Sequence, residues 1–407
     1  MSAIEHPTAG MVAPTFVDVP VTTSTKHTPL NMPKLSNNAI PLAKVATATA
    51  TAIPVLKVKT LSLQDFHNIE TRPQFLRDMR ECLIDVGTFY IKDHGIATEM
   101  TIGAMKSVQD YFALPLEEKK KMLIANSQHF RGYKLMGEEL TNNEVDHREQ
   151  LQFAPEQPAI PSFQPSVSPD YQGLQGPNQW PASTVALLPQ FQPCILDFMS
   201  QLETLSQHLM DAVALSLGLK ESYFREMFGQ DPYYRLKCAK YPSVEKAATI
   251  GCGAHKDTGF LTVLLQDMVG GLQGQDPKSG QWMDTRPIPE TFIVTMGEAM
   301  EKLTGGLYHA TVHRVLNNTS GRDRYSIPFF FDPALDAKIP HLIQNLDKSR
   351  QLDYSKNGVA SLEEMVCSLD VTTNESSSTE EGWSNGDNIF ETVHRCHPEV
   401  YERWYKE

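Results

Sequence analysis

The stretch Gly253-Ala254-His255-Lys256-Asp257-Thr258-Gly259-Phe260-Leu261-Thr262-Val263-Leu264-Leu265-Gln266-Asp267 decides how the rest of the chain is read. Its second half is apolar and β-branched, which predicts a strand reached through a glycine-rich turn. Side chains two apart on a strand point the same way. His255 and Asp257 therefore aim at one point from one face. An imidazole and a carboxylate so placed form most of a metal site. The remaining ligand is offered by Tyr308-His309-Ala310-Thr311-Val312-His313-Arg314-Val315, a second strand-like run in which His313 stands 56 residues beyond Asp257.

Two histidines and one carboxylate occupy one side of an ion and leave the opposite positions open. That arrangement suits non-haem iron(II) sites that activate oxygen, although zinc accepts the same donors and spacing alone does not choose. A bare His-x-Asp is common, and two polar residues on a solvated strand face is its competing explanation. The run Arg324-Tyr325-Ser326-Ile327-Pro328-Phe329-Phe330-Phe331-Asp332-Pro333 shifts the balance. Arg324 and Ser326 share a face of another apolar strand. A guanidinium aimed into an apolar sleeve needs an anionic partner, because an unpaired buried charge is costly. A guanidinium beside a hydroxyl suits the far carboxylate of a dicarboxylic acid. 2-Oxoglutarate fits both ends, its keto acid chelating the metal and its tail meeting Arg324 and Ser326.

His255-x-Asp257, His313 and Arg324-x-Ser326 together resemble the signature of the iron(II)- and 2-oxoglutarate-dependent dioxygenases, and more closely their isopenicillin N synthase-like branch. The resemblance extends to Gly270-Gly271-Leu272-Gln273, Gly297-Glu298, Phe89-Tyr90-Ile91-Lys92-Asp93-His94-Gly95-Ile96 and Phe130-Arg131-Gly132-Tyr133. It covers roughly residues 53 to 335 and the final helix. It implies Fe(2+) held by His255, Asp257 and His313, with 2-oxoglutarate and O2 as co-substrates. Tyr241-Pro242 matches a family position that supports the co-substrate alongside Arg324 and Ser326. Ala239 departs from the asparagine common in plant members and removes one polar contact. The implied reaction couples oxidative decarboxylation of 2-oxoglutarate to hydroxylation or desaturation of a small organic metabolite, as in secondary metabolism. An iron oxidase of the same branch that does not use 2-oxoglutarate, and a non-catalytic small-molecule-binding barrel, remain the alternatives.

The chain of 407 residues is 41% hydrophobic, enough for a sizeable core without disulfides. Its formal net charge of −13 disfavours nucleic acid, since an acidic surface repels phosphate. Cys82, Cys194, Cys238, Cys252, Cys367 and Cys396 are scattered without a Cys-x-x-Cys pair, which fits reduced thiols and a cytoplasmic location. Cys252 reads as packing, not as a ligand. No apolar run is long enough to span a membrane, and no secretory or mitochondrial signal is visible at the start. A monomer acting on a small molecule is expected.

The fold expected is α+β and β-rich: a double-stranded β-helix, or jelly roll, with flanking helices. Residues 1–52 read as a disordered leader rich in Ala and Thr. Residues 53–185 read as an amino-terminal region ending in a Pro-rich connector. Ile53–Val58 begins it as a strand, and Thr71 with Pro73 opens a helix. A second helix buries Ile102, Met105, Val108 and Phe112. Leu116–Lys120 reads as a solvated charged face, and His94 and His147 as non-ligands. Arg131 and Tyr133 are equally suited to facing substrate or to holding a turn. Residues 186–335 hold a long helix from about Gln192 to Leu217, closed by Gly218, and then the jelly-roll core. Strand phase suggests that Leu264, Val294 and Phe331 line the sleeve. Residues 336–385 read as a polar, partly disordered insertion before a C-terminal helix, Ile389 to Tyr405 within 386–407. His394 and His397 on that helix read as surface histidines.

Overall fold

Apolar residues recurring every three or four positions fall on helices, and the alternating runs fall on strands. The computed structural model describes residues 54–141, 144–165, 167–245, 250–340 and 383–406. The leader, and all but the two ends of the 336–385 insertion, lie outside them.

The chain begins with β1 (Thr60–Ser62), α1 (Leu63–His67), α2 (Arg72–Asp85), β2 (Thr88–Lys92), α3 (Thr98–Ala113) and α4 (Leu116–Lys120). It continues through β3 (Gly132–Lys134), β4 (Leu140–Thr141), β5 (Glu144–Val145) and β6 (Glu149–Phe153). After the connector come α5 (Ala182–Leu187), α6 (Phe191–Ser216) and α7 (Tyr223–Phe228). The core strands are β7 (Tyr233–Tyr241), β8 (Ile250–His255), β9 (Leu261–Gln266), β10 (Leu272–Gln275), β11 (Trp282–Asp284) and β12 (Phe292–Met296). Then follow α8 (Glu298–Leu303), β13 (His313–Leu316) and β14 (Arg324–Asp332). Last come β15 (Lys338–Ile339), β16 (Trp383–Ser384), α9 (Asn385–Cys396) and α10 (Pro398–Trp404).

Eight strands form one sheet in the order β1-β2-β12-β9-β14-β7-β6-β3, and four form another in the order β11-β10-β13-β8. Tyr90, Ala239, Tyr241 and Ile293 from the first sheet pack with Cys252, Leu272 and Val315 from the second. The two sheets thus face each other as a jelly roll that does not close into a barrel. The opposite face of the large sheet packs on α2, α3 and α6 through Met79, Val108, Leu202, Leu209, Val263 and Phe329. Each such side chain contributes roughly 1.5–3 kcal/mol when fully buried. This second core backs the large sheet, and the site is built between that sheet's inner face and strands β8 and β13 of the small sheet.

α6 buries Ile195, Met199, Leu202, Leu205, Leu209 and Val213 along one stripe, as its periodicity predicts. Gly218 ends it at φ +77°, a conformation that costs other residues a Cβ clash. Four expectations change. The segment expected as the first strand makes only an isolated bridge, Val55 to Asp284, and pairing starts at Thr60. Ile102 is 63% exposed, because α3 turns Ala104, Val108, Tyr111 and Phe112 inward instead. Lys119 is buried and paired with Glu149 at 2.6 Å, so the charged run of α4 is not wholly solvated. The C-terminal helix breaks at His397, whose ψ of 61° is non-helical, since Pro398 disfavours helix in the residue before it.

Candidate active site

His255 closes β8, and His313 opens β13. The two strands are antiparallel and pair these residues directly, so 58 positions of sequence collapse into one cross-strand pair. The imidazole ring centroids lie 4.4 Å apart. Asp257 does not continue the strand, as the sequence suggested. It sits in the turn between β8 and β9, where its carbonyl accepts from Glu298 N at 2.7 Å. Gly259 and Gly297 permit that turn. A Cβ on Gly297 would come within 2.1 Å of Gly259 O, and one on Gly259 within 2.1 Å of Asp332 Oδ1.

The turn brings Asp257 Oδ1 to 3.8 Å from His255 Nε2 and 3.7 Å from His313 Nε2. The three donor atoms lie within 4.8 Å of one another, and these residues form the one such His/Cys/Asp/Glu group among the described residues. Each imidazole is fixed through its other nitrogen. His255 Nδ1 lies 2.8 Å from Gly253 O, and His313 Nδ1 lies 3.0 Å from Thr311 O. A carbonyl can only accept, so both Nδ1 atoms carry a proton and both Nε2 atoms are the ones turned toward Asp257. Thr262 donates to Asp257 Oδ2 at 2.7 Å and turns Oδ1 toward the imidazoles. Burial works against a charge on Asp257, but the neighbouring His313 and His255 and the Thr262 hydroxyl override it and hold the carboxyl below its ordinary range. Burial, then His255, pushes His313 down toward the neutral form that ligates metals. The donor set therefore fits a divalent ion with its far side open.

Arg324 projects from β14 of the large sheet into the interior that His255 and His313 flank from the small sheet, and it is almost wholly buried. Its guanidinium reaches Gln266 Oε1 at 3.1 Å and Ser326 Oγ at 3.4 Å, and its Nε has no partner. Among the described residues no carboxylate lies within 4.0 Å of it. A buried cation with only neutral acceptors is a socket for an anion. Tyr241 lies opposite Arg324 in the register, with the guanidinium 4.9 Å over its ring. Its hydroxyl accepts from Arg148 at 3.4 Å. Ala239 pairs with Ser326, so the departure noted in the sequence falls beside the socket. The pocket thus fits a diacid tail.

A family model described as "non-haem dioxygenase in morphine synthesis N-terminal" matches residues 53–183, and that of the 2OG-Fe(II) oxygenase superfamily matches residues 231–333. A 2-oxoglutarate-dependent dioxygenase of Dothideomycetidae sp. is 36% identical over 286 residues, covering 69% of this chain and 75% of its own. The chain belongs to the 2-oxoglutarate and iron(II) oxygenase superfamily. A 1-aminocyclopropane-1-carboxylate oxidase of Dictyostelium mucoroides is 31% identical over 337 residues, 74% of this chain and 88% of that protein. The fold is shared with a full-length Neurospora crassa protein solved in complex with α-ketoglutarate, at a TM-score of 0.63 and 22% identity over 82% of this chain and 95% of that one. This dioxygenase is accordingly an oxidoreductase whose family uses Fe(2+), 2-oxoglutarate and O2. Small-molecule substrates fit the family.

Several expected residues fall elsewhere in the dioxygenase. Leu264 lines the interior beside Ile293, but Val294 and Phe331 point to the helices, where Phe331 meets Phe228 at 5.2 Å. Phe331 has odd parity relative to Arg324, so the period of two already places it outside. Arg131 holds a turn: it is fully buried and donates to Pro155 O at 2.7 Å, Leu174 O at 3.0 Å and Gly176 O. Tyr133 donates to Glu149 at 2.5 Å behind the sheet. His397 is not a surface residue. It is 2% exposed, and burial pushes it down to about 4. Cys252 is buried, and its thiol rises to about 12, which leaves it inert. Thr262, Gln266 and Arg148 were not singled out from the sequence. Gln266 shares Ser326's register, and Arg148 lies in a charged run, but neither signal is specific without the pairing. No helix among the described residues is long and apolar enough to cross a membrane.

Proposed function

We propose that His255, Asp257 and His313 hold the ferrous ion, and that Arg324, Ser326 and Tyr241 hold the distal carboxylate of 2-oxoglutarate, so that the enzyme hydroxylates or desaturates a small organic molecule. The observation that carries this reading is Arg324, a buried guanidinium without a carboxylate partner among the described residues, on the sheet that faces the two histidine-bearing strands of the His/Asp/His cluster. When bound, iron, 2-oxoglutarate and dioxygen together supply the oxidising power to break an unactivated C–H bond, releasing succinate and carbon dioxide.

The chain's own residues supply placement. Gly253 and Thr311 carbonyls fix the imidazole tautomers, and Thr262 fixes the carboxylate. Gln266 and Ser326 hold Arg324 in one rotamer, so little entropy is lost when the diacid arrives. Leu264 and Ile293 exclude water from the inner wall, which limits oxidation of unintended groups. Residues 53–185 and 186–335 are read as the flanking region and the catalytic core. The net charge of −13 weighs against nucleic acid as a partner, and the scattered cysteines, free where described, suit a cytoplasmic setting; the chain is read as a monomer acting on a small molecule.

Oxygen uptake and succinate release by the iron-loaded chain test this. Both should depend on added 2-oxoglutarate. Uptake that is equal without it would assign the chain to an oxidase chemistry, and an Asp257→Ala protein that functions unchanged would assign it to binding alone.

A further inference from the structure

A second buried guanidinium lies on the large sheet's inner face, and it makes no hydrogen bond to the metal cluster or to the diacid socket. Arg235 on β7 is 5% exposed. It lies opposite Phe330 of β14, which lies opposite Thr262 of β9. Residues opposed across neighbouring strands share a face, so this row ends at the hydroxyl that grips Asp257. Arg235 is therefore directed into the interior that holds the metal cluster.

The guanidinium stands 5.3 Å over the half-buried Phe330 ring. The one carboxylate within 4.0 Å of it among the described residues is Asp332, also on β14 and fully buried; Asp257 feels its charge from farther off. Asp332 Oδ1 accepts from Phe260 N at 2.9 Å. The other oxygen, Oδ2, lies 3.9 Å from Arg235 Nη2 and has no hydrogen-bond partner, and Arg235 Nε has none either. An ion pair serving stability alone would close to about 2.7–2.9 Å and use those atoms. Buried polar atoms left unmatched cost free energy. Here a cation and an anion face the interior side by side, each with a bond unmade.

Neither charge alone selects the ligand. A simple carboxylate gains from Arg235 and is repelled by Asp332, and a simple ammonium meets the reverse. A group with an acceptor oxygen next to an N–H or O–H donor satisfies both. Resting on the function proposed above, we infer that the primary substrate presents such a paired acceptor and donor, the oxygen to Arg235 and the hydrogen to Asp332, with its apolar part against Phe330. The head group of an amino acid and a neutral amide both offer this combination.

Four probes with one phenyl ring separate the possibilities: L-phenylalanine (charged acceptor and donor), 3-phenylpropanamide (neutral acceptor and donor), 3-phenylpropionate (acceptor only) and phenethylamine (donor only). Binding is measured by calorimetry on the full chain, anaerobically with iron and 2-oxoglutarate, and again on the metal-free chain. One or both paired probes should bind at least about tenfold more tightly than the single-function probes, the scale set by one charge-assisted bond. Which paired probe wins tells the charged head group from the neutral one. Arg235→Gln and Asp332→Asn should each remove the advantage, Arg235→Lys should keep part of it, and melting temperatures verify that the variants fold. No advantage for either paired probe, or an advantage that survives Arg235→Gln, overturns the inference. If the chain fails to take up iron and 2-oxoglutarate while the metal-free chain still prefers paired probes, the proposed function falls and this assignment stands.

Discussion

Arg131 and Arg324 are both buried, at 0% and 1% exposure, and they do opposite things. Arg131 donates to three backbone carbonyls of the connector, which has irregular backbone to satisfy. Arg324 meets one amide and one hydroxyl on a rigid strand and keeps an unused Nε. Burial alone thus says little about role. The number and kind of acceptors within reach separate a residue that staples a loop from one that waits for an anion.

The comparison can be broken at several points. Asp257→Ala removes the one carboxylate of the metal cluster and is expected to abolish iron retention and all 2-oxoglutarate turnover, read by metal analysis after desalting and by succinate release. Arg324→Leu should cost about 2–5 kcal/mol in 2-oxoglutarate affinity, the range for losing one partner of a buried charged pair. Its melting temperature should hold or rise, because an unpaired buried charge has been removed. Arg131→Leu should do the reverse. It strands up to three carbonyls at about 1–3 kcal/mol each, lowers the melting temperature, and leaves 2-oxoglutarate affinity in the surviving folded fraction unchanged. A folded, equally stable Arg131→Leu protein would contradict its role as a staple.

His397 sharpens the same contrast through pH. Burial, with Lys134 nearby, lowers it from an ordinary 6.5 to about 4, although Glu399 acts the other way. Lys134 Nζ lies 3.3 Å from Nδ1, an arrangement that requires a lone pair there. The folded pKa lies below the unfolded one, so the unfolded chain binds the proton first. Stability is therefore full above pH 6.5 and falls as pH drops toward 4, by about 3 kcal/mol at 1.36 per unit. Denaturant titrations of the wild type and of a His397→Gln protein should converge at neutral pH and separate in acid. Parallel curves would show that folding leaves the pKa of His397 unchanged, against its assignment as a buried neutral imidazole. The smallest effect belongs to Thr262→Val, which frees Asp257 Oδ2 and should weaken iron binding roughly 10–100-fold, as for other residues behind a metal ligand.

Much of the site was legible because its chemistry needs fixed spacings. His255-x-Asp257 and Arg324-x-Ser326 are each two apart, and a strand period sends such pairs one way. The route was less legible than the result, since Asp257 lies in a turn and reaches its partners through close glycine packing. Thr262, Gln266 and Arg235 could not be singled out, because their meaning depends on which strand lies opposite, and pairing is a property of the whole sheet. Val294 and Phe331 were misplaced where an apolar residue suits both faces of a sheet covered on both sides. His397 was misjudged because its neighbours Lys134 and Glu139 come from a region more than 250 residues away. Helical periodicity is decisive where a single apolar stripe dominates, as in α6, and ambiguous where two faces compete, as at Ile102.

The most direct test compares 2-oxoglutarate with 2-oxobutyrate, which keeps the chelating keto acid and lacks the distal carboxylate. Affinities are measured anaerobically on iron-loaded wild-type and Arg324→Leu proteins. The wild type should prefer 2-oxoglutarate by the full 2–5 kcal/mol or so expected of a buried charged pair, and the variant should bind both alike. Equal affinities in the wild type, or an unchanged preference in the variant, would contradict the assignment of Arg324 as the diacid socket.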